Sequence, residues 1–314
     1  MIMNHGYTRP LYLLPFDHRQ SYVDGMFHLA PPLTSDEHAA VANSKQVIYD
    51  GFRQALGPEL PIDSAGVLVD EEFGADILRD AAWNGYVTAL SVEKSGSAEF
   101  EFEYGEAFAQ HIEAFRPTFA KALVRYNPEG DPLLNTRQTA RLKQLSDYCR
   151  AVGQRFMFEL LVPATKAQMD RIQADKQIFD LRIRPELTLQ TIRTLQDAGV
   201  EPDVWKIEGL DRREDCERVI EIVRREGPDA AGTCRCSHDH RDGNCLHNHQ
   251  RPASTGHEDV DRRPGPPRPG CSIQRRVGRA AGPLDHSRTP GHEPGCTIGH
   301  RHLDEAQARR LGVR

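Results

Sequence analysis

The sequence predicts an α/β protein of the (β/α)8 TIM-barrel type. Short apolar runs alternate with helical patterns through residues 1–230, which gives six βα units in a row. Nearly every apolar run ends in charged residues, and the carboxyl ends of barrel strands form the active-site face. A Rossmann-type sheet is the alternative, but no Gly-x-Gly-x-x-Gly motif follows the first run.

The six apolar runs are the predicted strands of a parallel sheet. They cover residues 11–16, 65–70, 86–92, 119–126, 156–162 and 203–208. Helical patterns cover residues 35–56, a segment from about 74, 104–115, 136–152, 185–198 and 211–225, with Ser35 or Asp36 as the first cap. A seventh strand should begin after Gly227, but no apolar run follows, so we expect an incomplete barrel with open edges.

The composition changes abruptly at residue 231, which divides the chain into a barrel-like part (1–230) and a tail (231–314). The 84 residues of the tail contain no Phe, Tyr, Trp or Met, only nine Val, Ile or Leu, 14 Arg and no Lys. Such a low-complexity segment cannot bury enough apolar surface to offset its ordering entropy, so we predict disorder. Arg, Pro, Gly, His and Cys rise together, as in out-of-frame translation of a GC-rich gene, which indicates a frameshift near residues 228–234.

Charge and hydropathy exclude several classes of function. The net charge is -6, and an acidic chain lacks the phosphate-neutralising surface that nucleic-acid binding needs. No apolar run reaches 18 residues and the N-terminus has no secretion signal, so neither a membrane nor export is expected. The expected compartment is the cytoplasm, with reduced thiols. The sequence leaves a homo-oligomer open.

Strand alternation predicts which charged side chains face the barrel interior. Lys206 and Glu208 share a face on the sixth strand, Glu159 faces inward on the fifth, Lys121 and Arg125 on the fourth, and Asp17 ends the first. A barrel would therefore gather Lys206, Glu159, Lys121 and Asp17 in one mouth. Two neighbouring lysines disfavour each other's protonation, and a neutral amine can attack a ketone to form a Schiff base. A structural ion-pair network is the alternative.

The charged strand ends also carry recognisable sequences. They read Phe16-Asp17-His18-Arg19, Val69-Asp70-Glu71-Glu72-Phe73-Gly74, Val92-Glu93-Lys94-Ser95-Gly96, Lys121-Ala122-Leu123-Val124-Arg125-Tyr126, Phe158-Glu159 and Trp205-Lys206-Ile207-Glu208. In this order they resemble the class I tagatose-bisphosphate aldolases. They are still more similar to the aldolase-like domain fused to the sugar kinase in bacterial 5-dehydro-2-deoxygluconokinase proteins of inositol catabolism. The resemblance covers residues 10–230 and none of the tail.

The resemblance implies a carbon–carbon lyase that needs no cofactor. Its substrate would be a phosphorylated keto-sugar or keto-sugar acid, such as 2-deoxy-5-keto-gluconate 6-phosphate, cleaved into two three-carbon pieces. By resemblance Lys206 is the Schiff-base lysine, Glu159 the proton shuttle, Lys121 the second lysine and Asp17 a substrate-contacting carboxylate. The remaining substrate-binding candidates are Arg19, Glu71, Glu93, Lys94, Arg125 and Glu208.

Two other functions stay open. In such barrels the loops after strands seven and eight usually hold the substrate phosphate, so the chain is expected to be impaired or to be a non-catalytic remnant. The tail also carries Cys234, Cys236, His238 and His240, followed by Cys245, His247 and His249, which would suit a metal-binding protein. The paired C-x2-C spacing is missing, however, so we expect no native metal site.

Overall fold

Seven parallel strands curl into an open barrel covered by helices. The computed structural model describes residues 6–57, 60–225 and, for the backbone alone, 232–236. Each strand lies beside its sequence neighbour, in the order β1-β2-β3-β4-β5-β6-β7, and within the described residues β1 and β7 do not pair with each other. The strands are β1 (Tyr12–Pro15), β2 (Ala65–Val69), β3 (Val87–Ser91), β4 (Phe119–Arg125), β5 (Arg155–Leu161), β6 (Val204–Glu208) and β7 (Gly232–Cys236). The predicted fold class is confirmed.

Helices connect the strands along the outside of the sheet. They are α1 (Gln20–Tyr22), α2 (Ser35–Ala55), α3 (Glu71–Trp83), α4 (Phe108–Phe115), α5 (Pro132–Val152), α6 (Lys166–Arg171), α7 (Lys176–Ile178), α8 (Arg184–Asp197) and α9 (Arg213–Val223). The cap of α2 is Thr34 rather than the predicted Ser35 or Asp36, because Thr34 and Glu37 form a reciprocal capping box. The short helices α1, α6 and α7 were not predicted, since three to six residues carry no helical periodicity.

The expectation that no seventh strand follows Gly227 is wrong for one short segment. Gly232–Cys236 pairs in parallel with β6, placing Gly232 opposite Val204 and Cys236 opposite Glu208. The unpaired backbone groups of a strand edge can bind an extended segment whatever its side chains. Hydropathy, on which the sequence prediction depended, therefore carries no signal for such a strand. The rest of the tail, with its predicted disorder and its Cys and His residues beyond 236, lies outside the described residues.

The strands divide their apolar side chains between two layers. Leu68, Phe119, Met157 and Val204 form one buried cluster, and the partly buried Leu13 packs against it. These five residues come from five different strands, and only the concave face can bring them together. The alternate residues pack outward against the helices, for example Phe158 and Trp205, whose rings meet edge to face at 5.0 Å. The predicted inward parity of β1, β4, β5 and β6 is confirmed, and it directs their charged ends into the barrel mouth.

Gly66 is required where β2 and β3 lie closest together. It sits opposite Val87, and a Cβ added there would collide with the Val87 carbonyl oxygen and lie 2.6 Å from the Val87 Cβ. We expect Gly66→Ala to destabilise the fold by about 3 kcal/mol, because two paired strands must separate. Gly51→Ala in α2, where no atom lies within 4 Å, is the matched control and should stabilise by up to about 1 kcal/mol. Urea unfolding of both variants measures this; equal effects would contradict it.

None of the helices in the described ranges is long and apolar enough to cross a membrane.

Candidate active site

Lys121 is the centre of a buried charged cluster at the mouth of the barrel. Its Nζ donates hydrogen bonds to Asp17 Oδ2 at 2.7 Å and to Glu93 Oε1 at 2.9 Å. It also forms an ion pair with Glu159 Oε2 at 2.9 Å. Only 1% of the Lys121 side chain is exposed, so these three carboxylates replace water as its solvation shell.

Glu159 joins the two lysines of the cluster. While its Oε2 faces Lys121, its Oε1 accepts a hydrogen bond from Lys206 Nζ. Strand pairing explains this, because Glu159 of β5 stands directly opposite Lys206 of β6 in the parallel register. The four residues predicted to converge, Asp17, Lys121, Glu159 and Lys206, thus lie in one continuous chain of contacts.

The cluster separates the protonation behaviour of its members. Burial by itself lowers the pKa of Lys121, but Asp17, Glu159 and Glu93 together hold that pKa well above its ordinary value. Burial raises the pKa of Asp17, yet the charge and hydrogen bond of Lys121 outweigh it and bring the pKa down to about 2. Lys121 is therefore a fixed cation and Asp17 a fixed anion at neutral pH.

The two glutamates respond in opposite directions. Burial raises the pKa of Glu159, but the Lys121 and Lys206 charges outweigh burial and leave the pKa below its ordinary value. For Glu93 burial dominates, and Lys121 offsets it only in part, so the pKa stays raised. The contacts agree with this difference: both Glu159 oxygens meet a lysine, whereas Glu93 Oε2 is buried with no hydrogen-bond partner in the described residues.

Arg19 closes the cluster on the side of β3. Its guanidinium donates to Glu103 Oε2 at 2.6 Å and to the backbone carbonyl of Glu93. Glu103 also accepts the backbone N–H of Ser95 at 3.0 Å, which ties the loop after β3 to Arg19. Glu103 was not predicted, because it lies in an irregular loop with no strand periodicity to indicate its direction.

The charged cluster forms one wall of a cavity of about 660 Å³. Of the ten predicted site residues, seven line it: Asp17, Arg19, Glu93, Lys94, Arg125, Glu159 and Lys206. Lys121 lies behind them and contacts three of the seven. His18 and the loop from Ser95 to Phe100 also line the cavity, and Leu13, Leu68, Leu123 and Met157 supply apolar surface. A volume of this size suits a small organic ligand.

The remaining two predicted residues serve other contacts. Glu71 bonds to His111 Nδ1 at 2.8 Å, and the His111 ring stacks on Tyr104. Glu208 accepts the Val162 N–H at 2.8 Å and pairs with Arg184 at 2.9 Å. Neither is among the residues that line the cavity. The prediction that they bind substrate therefore has no geometric support in the described part of the chain, because both side chains are already paired with protein groups.

A second buried ion pair lies behind the site and was missed by the sequence analysis. Lys45 of α2 pairs with Asp70, and both side chains are almost fully buried. Asp70 also accepts the Phe73 N–H at 2.8 Å as the N-cap of α3. The helical pattern of α2 assigned Lys45 no special place, since one lysine on a long amphipathic helix is usually exposed. The pair fixes α2 and α3 relative to the end of β2.

The cluster is arranged around an ammonium group rather than a metal ion. Within the described ranges no group of three or more His, Cys, Asp or Glu side chains has the geometry to hold a metal. Asp17, Glu93 and Glu159, the three carboxylates at the site, are all directed at Lys121. The arrangement can hold and transfer protons next to a buried primary amine. Schiff-base catalysis by a lysine requires these two features.

Comparison with known proteins shows the family of the chain. Residues 3–236 match the family described as "Uncharacterized protein conserved in bacteria (DUF2090)". Among solved structures, the crystal structure of Cgl0159 from Corynebacterium glutamicum (Brevibacterium flavum) is similar at 16% sequence identity and a TM-score of 0.44. That similarity covers 74% of this chain and 70% of the other. No curated protein matches the chain.

Proposed function

We propose that this chain, which belongs to the bacterial family DUF2090, is a class I aldolase-type lyase that holds its substrate as a Schiff base on Lys206. The observation that carries the proposal is the pair Lys206–Glu159 at the wall of the cavity. Lys206 is 7% exposed and pairs with a carboxylate at the wall of a ligand-sized cavity. A buried ion pair contributes little net stability, so its place in a cavity favours a functional role. The resemblance of six strand ends to class I tagatose-bisphosphate aldolases supports the same chemistry.

The contacts favour Lys206 over Lys121 as the nucleophile. Attack on a ketone requires a neutral amine, and the carboxyl groups of Asp17, Glu159 and Glu93 hold Lys121 as a cation. Lys206 touches Glu159, which is placed to accept the proton that Lys206 must lose. Lys121 in turn keeps Glu159 oriented, because it binds the opposite carboxylate oxygen.

The proposed reaction follows from these roles. Lys206 gives one proton to Glu159 and adds as a neutral amine to the substrate ketone. The new oxyanion takes a second proton from the nitrogen, which gives the carbinolamine, and its hydroxyl leaves as water when Glu159 returns the first proton. The iminium ion so formed accepts the electron pair of the bond between its α and β carbons. When that bond breaks, the hydroxyl of the leaving fragment gives its proton to a carboxylate, and Asp17 and Glu159 are the anionic candidates. The leaving fragment becomes an aldehyde and the retained fragment an enamine.

The substrate class is proposed from resemblance and from charge. Arg125, Lys94 and Arg19 line the cavity together with His18, so a phosphorylated keto-sugar or keto-sugar acid would meet cationic groups there. The Arg125 guanidinium has no ion pair within the described ranges and is exposed. We take 2-deoxy-5-keto-gluconate 6-phosphate as the first compound to test.

Borohydride trapping tests the proposal. Incubation with 2-deoxy-5-keto-gluconate 6-phosphate and borohydride should raise the mass of the intact protein by one reduced keto fragment, because borohydride converts the iminium to a stable amine. Borohydride without the keto compound is the control and should leave the mass unchanged. Binding of the compound without any mass increase would contradict the proposal.

One observation favours the second candidate, a non-catalytic remnant. Between β7 and β1 the described part of the sheet is open, whereas a complete barrel closes there. A barrel that is open at this point should turn over slowly even if Lys206 reacts, since the loops after strands seven and eight usually hold the substrate phosphate. A remnant would give neither a trapped adduct nor turnover, and the trapping experiment therefore separates the two candidates.

A further inference from the structure

Among the described residues of the buried cluster, the charges do not balance if every group is ionised. Asp17, Glu93 and Glu159 bring three negative charges, and Lys121 and Lys206 bring two positive ones. Arg19 does not supply the missing charge, because its guanidinium pairs with Glu103 at 2.6 Å and stays 3.9 Å from Glu93 Oε1. An uncompensated carboxylate in the protein interior is costly, and such a group normally takes up a proton instead.

Hydrogen bonding indicates which carboxyl group holds that proton. Asp17 receives the shortest Lys121 hydrogen bond, and both Glu159 oxygens receive a lysine. Glu93 receives Lys121 on Oε1 alone, while Oε2 is buried and has no partner among the described residues. An ionised oxygen in that position would have lost its hydration without gaining a hydrogen-bond donor, which is costly. A protonated oxygen avoids this charge and is itself a hydrogen-bond donor.

We infer that Glu93 is a neutral carboxylic acid in the resting protein and presents its Oε2 hydrogen to an oxygen of the bound keto compound. Glu93 lines the cavity, and no described protein group accepts this hydrogen. The substrate contact rests on the proposed function, but the protonation of Glu93 does not. No bond is made or broken in this role: Glu93 donates one hydrogen bond and selects ligands that carry a carbonyl or hydroxyl oxygen at that point. A ligand without that oxygen would leave a buried donor unpaired.

Infrared difference spectroscopy at pH 7 tests the protonation directly, without substrate. The wild-type protein should show the carbonyl stretch of a protonated, buried carboxyl group, and Glu93→Gln should remove it. Glu208→Gln, which changes a paired carboxylate outside the cluster, is the matched control, and its spectrum should keep the band. The inference is overturned if the wild type has no such band, or if the band persists in Glu93→Gln.

The pH dependence of stability gives a second, independent readout. The groups that face Glu93 are Lys121, Asp17 and Arg19, with Glu159 behind Lys121 and Glu103 behind Arg19. Because burial raises its pKa above the ordinary 4.5, Glu93 destabilises the folded state as pH rises past that value. The free energy of unfolding of Glu93→Gln minus that of wild type should therefore increase between pH 4.5 and pH 8. A difference that is constant or falls with pH would overturn the inference.

The substrate contact is tested by the rate of borohydride-trapped adduct formation with 2-deoxy-5-keto-gluconate 6-phosphate. Glu93→Ala removes the donor and should slow trapping by about 100-fold. Glu93→Gln keeps an N–H donor in the same place, so it should form the trapped adduct at least about tenfold faster than Glu93→Ala. If both variants lowered the trapping rate equally, Glu93 would act as an anion, and the proposed role as hydrogen-bond donor would be wrong. If the wild type forms no adduct but keeps the infrared band, the proposed function fails and the neutral Glu93 stands.

Discussion

Replacing Lys206 by alanine should abolish covalent capture of a keto compound. In the proposed reaction every covalent step passes through the Lys206 amine, and Lys121, the nearest alternative, is held as a cation by the Asp17 and Glu159 carboxylates. Removal of a covalent nucleophile commonly lowers rates by about 1,000-fold or more. We expect no mass increase of Lys206→Ala after treatment with borohydride and 2-deoxy-5-keto-gluconate 6-phosphate, measured on the intact protein.

Two controls make this result interpretable. Lys143→Ala removes an exposed lysine that pairs with Asp147 on α5 and should leave capture unchanged. Lys121→Ala should weaken capture rather than abolish it, because it disturbs Glu159 without removing the nucleophile. Capture that survives in folded Lys206→Ala protein would place the Schiff base on another lysine.

The largest effect on stability is expected from Lys121→Met. The substitution keeps the volume of the side chain but leaves Asp17, Glu93 and Glu159 facing one another without the central cation. Breaking a buried ion pair by removing one partner costs about 3–5 kcal/mol, because an uncompensated charge stays in the interior. Urea unfolding at pH 7 should show a loss of this size.

Acid should relieve part of this loss, since protonation removes the repulsion between the Asp17 and Glu159 carboxylates. The control is Lys143→Met, whose ion pair is half-exposed and whose loss should change stability by at most about 1 kcal/mol. If Lys121→Met were no less stable than Lys143→Met, the cluster would not be held together by the Lys121 charge.

The convergence of the site residues could be predicted from the sequence because strands impose a strict alternation. Once β5 and β6 are neighbours in a parallel sheet, Glu159 and Lys206 must lie on the same face, and the structure places them opposite each other. The same rule located Lys121 on β4. These predictions needed only the period of the strand and the order of the strands.

Side-chain pairing could not be predicted in the same way. Glu208 has the inward parity that the sequence predicted, yet its carboxylate is occupied by Arg184 and the Val162 N–H. Glu103 lies in a loop and Lys45 in a helix, so strand alternation does not predict the direction of either side chain. Strand β7 was missed because backbone pairing with the edge of β6 leaves no hydrophobic pattern in the sequence.

The position of the trapped adduct tests the central claim most directly. After borohydride trapping with 2-deoxy-5-keto-gluconate 6-phosphate, a modified Lys206 resists trypsin, so the peptide from residue 194 to residue 212 should survive intact with the added mass. Lys206 is the one lysine within that peptide, which makes the assignment unambiguous. We predict the adduct on Lys206 and on no other lysine. An adduct on Lys121 or on any other lysine, with the 194–212 peptide cleaved at an unmodified Lys206, would contradict it.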